Sequence, residues 1–445
     1  MIFKNKIKIV LLLLCDIAFL YLALFATIII RYGADFYVHF VETHFFPFTI
    51  IFLPWIVIFY VAGLYDLRQL RNNIDFLKVL GLAIFVSAIV AVFLFYLVPF
   101  FGITPKTNLF VFMLVFAFVE VLWRRSFNRL IASGQAPIKV LLVGSGKITD
   151  TVYRHVTANR QLGYEVKARL TPEEMHAEPK RLHDGALTEQ INLVVVPREI
   201  KYDAKLNKVL YELFGRGIAV WDIVNFYEAV MKKIPLAGLE ESWFLDNLIN
   251  QQKFYDQLKR AVEFLSALVL GVVLAPFLAL IAIVIKLTSP GPAIYQQLRV
   301  GKNGAHFTLH KFRTMRENAE QRGVQWADPN DLRATAFGKL LRYTHVDEFP
   351  QLLNILRNEI SFVGPRPERP EFIDTLREKI PYYETRLLVR PGITGWAQIN
   401  YRYGASVEDA HEKLEYDIYY IKNRSIILDI AIILKTLKSF FANQT

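Results

Sequence analysis

Four apolar runs crowd the first 130 residues: IKIVLLLLCDIAFLYLALFATIII (7–30), FFPFTIIFLPWIVIFYVAGLY (45–65), FLKVLGLAIFVSAIVAVFLFYLV (76–98) and NLFVFMLVFAFVEVLW (108–123). A helix needs about 20 apolar residues to cross the hydrocarbon of a bilayer. Three runs reach that length and the fourth falls a little short of it. The spacing therefore predicts a membrane-embedded helical bundle over residues 1–130. An apolar fraction of 53% and a mean hydropathy of +0.29 agree, being too high for a purely soluble chain.

Basic residues orient the bundle. Lys4, Lys6 and Lys8 precede the first run, Arg68, Arg71 and Lys78 lie between the second and third, and Arg124, Arg125 and Arg129 follow the fourth. The other two loops hold only Arg31 and Lys106. Because cations gather on the cytoplasmic side, both ends of the bundle are expected there. The first run lacks a convincing cleavage site and continues into a polytopic pattern, which argues against a removable signal peptide. A single cysteine, Cys15, excludes an intramolecular disulfide and a cysteine-rich metal site. The net charge of +11 suits anionic lipids or anionic small substrates, and no nucleic-acid-binding motif accompanies it.

Residues 138–240 read as a small Rossmann-like α/β domain. IKVLLVGSGK is a buried-strand run with a tight glycine turn, and YEVKARL, INLVVVP and GIAVWDI add strands between helical stretches. Gly144-Ser145-Gly146 would let a phosphate approach a helix N-terminus. Thr149, however, replaces the third glycine of the dinucleotide fingerprint, and the second strand ends in Arg169-Leu170 rather than an acid. A structural or regulatory role is expected ahead of nucleotide binding.

A fifth apolar run, AVEFLSALVLGVVLAPFLALIAIVI (261–285), has cations at both ends: Lys253, Lys259 and Arg260 before it, Lys286, Arg299 and Lys302 after it. Both ends thus favour the cytoplasm. Pro276 removes a backbone hydrogen bond near its middle, so a sharp break is expected there. These features predict a re-entrant helix over 258–287 that enters and leaves by one leaflet. The alternative is a full span, which would strand the remaining chain outside.

Chemistry-bearing residues concentrate beyond this point. SPGPAIYQQLRVGKNGAHFTLHKFRTM (289–315) reads as a β-hairpin turning at Lys302-Asn303-Gly304 and ending in the basic cluster His310, Lys311 and Arg313. THVDEFPQLLNIL (344–356) sets Asp347 beside Glu348 with Pro350 behind them. Taken alone, that pair reads as a helix start, where acids suit the positive end of the dipole. Any one of the arginines taken alone reads as a surface ion pair. Further on stand SFVGPRPERPEF and RPGITGWAQINYRYGASVEDA.

These motifs resemble the bacterial polyprenyl-phosphate phosphoglycosyl transferases of the large monotopic type, weakly over the spans and the α/β part and specifically from about 256 to 441. The resemblance implies that Asp347 is a nucleophile and Glu348 a ligand or positioner of Mg²⁺, with Asp347 the second ligand. A helix N-terminus and Arg342 are expected to lower the Asp347 pKa. KFRTM (311–315) and VGPRP (363–367) match the family's basic loops, so Lys311, Arg313, Arg342, Pro365, Arg366 and Pro367 are expected to bind or shape the donor site. The implied reaction passes a sugar 1-phosphate from a UDP-sugar to undecaprenyl phosphate through an aspartyl intermediate. It takes place at the cytoplasmic face of a bacterial inner membrane and needs no nucleic acid.

Two alternatives stand: a ternary-complex transferase with Asp347 as base or metal ligand, and a catalytically silent scaffold of a polysaccharide assembly. Departures from the family pattern are His345, where Ser is frequent, and Ala275-Pro276, where Ser-Pro is frequent. His345 is expected to cap or pack rather than to move protons. PERPEF (367–372) resembles the exopolysaccharide branch, a homodimer is an expectation of the resemblance alone, and no residue is identified that reads the sugar. The fold class expected is a membrane α-helical bundle (1–130), a Rossmann-like α/β domain (138–240), and an α-rich monotopic catalytic domain with a re-entrant membrane helix (252–445). The terminal run SIILDIAIILKTLKSFF (425–441), apolar on one face with Lys435 and Lys438 on another, is expected to lie on the lipid surface.

Overall fold

A computed structural model describes residues 2–65, 74–97, 101, 106–133, 137–159, 162–177, 188–248, 252–316, 333–401, 404 and 406–442. Arg68 and Arg71, used above for orientation, lie outside the described residues. The chain folds as two compact units, Met1–Lys139 with Val156–Glu165, and Val140–His155 with Val166–Thr445.

The first unit is a helical bundle of α1 (Ile2–Tyr32), α2 (Phe45–Val61), α3 (Ile74–Leu97) and α4 (Lys106–Ser133). Between α1 and α2 the chain stays helical through tighter and wider turns at Gly33–Asp35 and His39–His44, where a loop is expected. Leu24, Phe48, Trp55, Phe112 and Phe116 fill the interior. Leu53, Phe85, Phe93 and Phe118 point outward and are each more than half exposed. A bundle greasy on its outside as well as its inside is built for a hydrocarbon solvent, and its helices are long and apolar enough to cross a membrane.

One basic residue departs from the reading. Arg124, counted among the loop cations after the fourth run, is fully buried because α4 continues past it to Ser133. Its guanidinium pairs with Asp16 of α1 and with Glu120 at 2.6 Å, and donates to the Leu64 carbonyl at 2.6 Å. An ion group in an apolar interior persists only with such partners, so Arg124 ties α1 to α4 rather than marking a loop.

The second unit begins with a parallel sheet. Strands β1 (Ile138–Val143), β2 (Tyr164–Leu170), β3 (Leu193–Val196) and β4 (Ala219–Asp222) run in the spatial order β2-β1-β3-β4. Val140 lies opposite Leu193, and Leu193 opposite Ala219. β3 and the last four residues of β1, Val140 to Val143, are continuous buried apolar runs, as strands covered on both faces must be. At the glycine turn into α5 (Lys147–Ala158), Gly144 has φ 132°. A Cβ there would stand 2.9 Å from the Thr149 hydroxyl, so the residue in place of the third glycine fills the turn.

After β4, helix α6 (Ile223–Met231) leads into a segment docked on the C-terminal part of the same unit. Lys233 pairs with Glu415 at 2.9 Å, Lys422 with Glu228 at 2.7 Å, and the Trp396 indole donates to the Lys232 carbonyl at 2.8 Å.

The fifth apolar run forms α7, a single helix from Lys253 to Thr288 with Pro276 inside it. The expected break into two helices is not there. Losing one N–H leaves the rest of the ladder intact, and a proline can be carried within one helix when its neighbours support it. Ala267 of α7 shares a buried cluster with Phe307, Leu309, Leu352 and Ile355, and Ile281 and Ile285 share another with Ala293, Phe312 and Leu341. The expected hairpin forms as β5 (Ile294–Val300) with β6 (His306–Phe312), paired from Ile294–Phe312 to Val300–His306. Its turn residue Asn303 has φ 56°, a left-handed conformation that asparagine tolerates.

Helix α8 (Ala336–Thr344), a tight turn at Val346–Gln351 and α9 (Leu352–Leu356) follow. Next come the short parallel strands β7 (Ser361–Val363) and β8 (Gly392–Thr394), then α10 (Val407–Asn423) and α11 (Ile426–Ala442). Ile426, Ile427, Ile430, Ile433 and Leu437 form an exposed apolar stripe on α11.

Candidate active site

Asp347 and Glu348 sit in the first turn of the 3₁₀ helix Val346–Gln351, not at an α-helix N-terminus. His345 makes the corner between α8 and this turn. Its backbone adopts φ 54°, and its N–H closes the end of α8 on the Arg342 carbonyl at 3.2 Å. A left-handed cap after the last helical residue is a common way to end a helix, and asparagine or histidine tolerates it better than branched residues. Burial holds the His345 ring below its ordinary pKa, which fits the capping role expected of it.

Three separated pieces of chain meet at Glu348. Lys311 of β6 donates to its Oε1 at 2.6 Å, and Arg366, from the loop after β7, donates to the same oxygen at 3.0 Å. Burial alone would raise the Glu348 pKa, but Lys311 and Arg366 outweigh it and hold the carboxyl well below the usual range. The adjacent acid is set the other way. Asp347 is 9% exposed, and burial followed by the charge of Glu348 pushes its carboxyl up to about 6, against Lys311, Arg342 and Arg366. The expectation that a helix end and Arg342 would lower it is therefore corrected: Arg342 acts in that direction, and burial wins. Two neighbouring carboxylates with divided ionisation are what a site needs when one acid must stay charged and the other must react.

The remaining expected residues are less uniform. Arg342 donates through Nε to the Thr314 hydroxyl at 2.9 Å and lends its charge to Asp347. Arg313 is turned elsewhere: it is 9% exposed and donates through Nη2 to the Ser289 carbonyl, at the end of α7, at 2.6 Å. Its Nε and Nη1 have no hydrogen-bond partner among the described residues. The Pro365–Pro367 loop is clamped by the glycine-rich stretch that follows Arg390. Gly364 N donates to the Thr394 carbonyl and Gly392 N to the Pro365 carbonyl, both at 2.9 Å. A Cβ at Gly364 would lie 2.4 Å from the Arg390 carbonyl, so only glycine permits this approach.

Sequence reasoning missed the residues that hold the loop from below. Lys259 donates to the Val363 carbonyl at 2.8 Å, Arg386 to the Arg366 carbonyl at 2.9 Å and Arg299 to the Pro367 carbonyl at 2.8 Å. Nothing in the local pattern distinguishes such an arginine from a surface one. Among the described residues, no group of three or more His, Cys, Asp or Glu is placed to hold a metal by itself.

The sequence profile of the bacterial sugar transferases matches residues 254–443. An exopolysaccharide production protein, PSS, of Rhizobium leguminosarum bv. phaseoli is 42% identical over 188 residues, which are 41% of this chain and 94% of that protein. The chain belongs to the bacterial sugar transferase family. Another relative in the family, a UDP-glucose:undecaprenyl-phosphate glucose-1-phosphate transferase of Caulobacter vibrioides, is 41% identical over 191 residues, covering 42% of this chain and 72% of the relative. A UDP-N-acetylgalactosamine-undecaprenyl-phosphate N-acetylgalactosaminephosphotransferase of Aeromonas hydrophila is 40% identical over 222 residues, half of this chain and 52% of that protein. The chain thus spans about half the length of the Aeromonas relative. Every residue of the Asp347–Glu348 site falls inside the stretch that matches the bacterial sugar transferases. The helical bundle and the parallel sheet fall outside it.

Proposed function

We propose that this transferase moves a sugar 1-phosphate from a UDP-sugar to undecaprenyl phosphate, at the cytoplasmic face of a bacterial inner membrane. The observation that carries the reading is the convergence of Lys311 and Arg366 on one oxygen of Glu348, beside the buried carboxyl of Asp347. An ionised Asp347 oxygen attacks the sugar-bearing phosphorus of the donor. The bond to the bridging oxygen breaks and UMP leaves with the electron pair. An oxygen of undecaprenyl phosphate then attacks the phosphorus of the aspartyl adduct, returning the carboxylate and giving undecaprenyl-diphospho-sugar. With a pKa near 6, Asp347 is mostly ionised at neutral pH yet poorly solvated, which favours nucleophilic attack.

Arg366 and Lys311 neutralise the charge of the diphosphate, and Glu348 keeps both cations in place. Because both cations bond the same oxygen of Glu348, the other oxygen and Asp347 offer the two carboxylate ligands that Mg²⁺ commonly takes alongside substrate phosphates. Bound there, Mg²⁺ would draw charge from the diphosphate and ease departure of UMP.

The topology proposed is re-entrant. Support comes from α7 itself, whose Ala267, and whose Ile281 and Ile285 further along, are both buried in clusters of the one domain that holds the site. A helix held that way keeps both ends on the side of the domain that holds it. The exposed stripe of α11 would lie in the same leaflet. The names of the relatives support a glycan-initiating role, such as the first membrane step of exopolysaccharide synthesis.

The test is a reaction without acceptor. With UDP-sugar and Mg²⁺ alone, the protein should release UMP in an amount equal to the enzyme and gain the mass of one sugar phosphate on Asp347, and Asp347→Asn should do neither. UMP release only after undecaprenyl phosphate is added would favour the ternary-complex route. No turnover of any UDP-sugar would favour the scaffold.

A further inference from the structure

The loop that carries Arg366 has no regular hydrogen-bonded structure of its own, yet its carbonyls are held one by one. Val363 is held by Lys259 and Tyr420, Pro365 by Gly392, Arg366 by Arg386, Pro367 by Arg299 and Glu368 by Val300. Arg386 differs from the others in what it holds: the carbonyl of the residue whose side chain reaches Glu348. It is itself fixed from three sides. Nη2 lies 3.1 Å from Asp417 of α10, Nη1 donates to the Tyr383 hydroxyl, and Nη1 lies 3.8 Å from Glu368. Arg386 is 7% exposed and Asp417 2% exposed.

A buried guanidinium bound to a buried carboxylate has little freedom to move, since breaking either contact strands a charge in an apolar setting. The Arg366 carbonyl therefore rests on a rigid support. Arg366, by contrast, has a long and flexible side chain, and its 3.0 Å contact with Glu348 depends on where its backbone is held. From this arrangement we infer that Arg386, locked by Asp417, is a positioning residue that sets the backbone of Arg366 and thereby seats the Arg366 guanidinium on Glu348. Arg386 touches neither reactive carboxylate; it acts through Arg366. A displacement of about 1 Å in a charge clamp of this kind costs on the order of a hundredfold in rate. The inference rests on the proposed transferase reaction for its kinetic test and on geometry alone for its structural one.

The kinetic test is a double-mutant cycle of Arg386→Lys with Arg366→Ala, following UMP release from the donor. Arg386→Lys keeps a cation beside Asp417 and loses the planar fork that reaches two acceptors. Alone it should lower kcat/KM for the UDP-sugar by about tenfold or more, whereas in the Arg366→Ala background it should change it less than about twofold. Equal losses in both backgrounds would overturn the inference, because a merely structural role does not depend on Arg366. If Arg386→Lys does not fold, Asp417→Asn replaces it in the cycle, since the amide keeps nearly the same shape while the charge that locks Nη2 is gone. A structure of the variant gives a readout that needs no turnover: Arg366 should stand beyond about 4 Å from Glu348. Arg366 still within hydrogen-bond distance there would overturn the inference, whether or not the protein turns over UDP-sugars. Absence of UMP release by the wild type would count against the proposed function alone.

Discussion

Replacing Asp347 by asparagine should stabilise the fold that it disables. The carboxyl is 9% exposed, and burial, then the charge of Glu348, moves it from its ordinary 3.8 to about 6. At about 1.4 kcal/mol per pH unit, keeping it ionised in the folded state costs about 3 kcal/mol relative to the unfolded chain. The folded value lies above the unfolded one, so the folded state binds the proton more tightly. Below about pH 4 both states are protonated and the cost is absent. It grows as pH rises through about 6 and is complete above that. Asparagine has nearly the same shape and no charge to bury. Asp347→Asn should therefore gain up to about 3 kcal/mol near pH 8 and almost nothing near pH 4. The assay is thermal or denaturant unfolding of the detergent-solubilised protein in metal-free buffer across that range, beside the UMP-release assay. A variant less stable than wild type near pH 8, or a difference independent of pH, would refute the reasoning. Either result would mean that Lys311, Arg342 and Arg366 outweigh burial at this carboxyl.

The adjacent acid should respond with the opposite sign. Glu348→Gln leaves Lys311 and Arg366 without their shared carboxylate, so the same unfolding experiment should show a loss of roughly 1–3 kcal/mol at neutral pH, Arg366 being partly solvated; a gain would mean the pairs contribute nothing. Arg366→Lys keeps the charge and loses the fork, and should weaken donor use by roughly 1–3 kcal/mol in steady-state kinetics while leaving acceptor use nearly unchanged. Selective loss of acceptor use would mean the loop serves the lipid. In a background without Cys15, cysteines introduced by Lys253→Cys and Lys302→Cys should both react with an impermeant reagent from the cytoplasmic side only. Labelling of position 302 from the opposite side would refute the re-entrant topology. Pro276→Leu restores the backbone N–H missing within the continuous helix α7 and should lower activity, read as UMP release in membranes; unchanged activity would leave Pro276 without a role at the site.

Whatever depends on neighbours in the chain was legible in the residues. Runs of about 20 apolar residues need bilayer hydrocarbon wherever they occur. An alternating pattern closed by Lys302-Asn303-Gly304 folds back on itself as a hairpin. Asp347, Glu348, Lys311 and Arg366 were singled out by the resemblance of their motifs to the phosphoglycosyl transferases, and the fold brings these four together. What the residues did not carry was burial and the charge that burial leaves uncompensated. Arg124 looked like a loop cation until α4 was seen to continue past it. Arg313, in the same short motif as Lys311, faces the Ser289 carbonyl instead of Glu348. The Asp347 carboxyl moves up rather than down because desolvation, which no local pattern encodes, exceeds the pull of three nearby cations. Arg386 has a role only because a chain segment 20 residues earlier lies across it. Local sequence determines which groups are present and how each short segment bends. Only the tertiary structure decides which of them leave water and in whose company, and at this site that decides which carboxylate stays charged and which is poised to react.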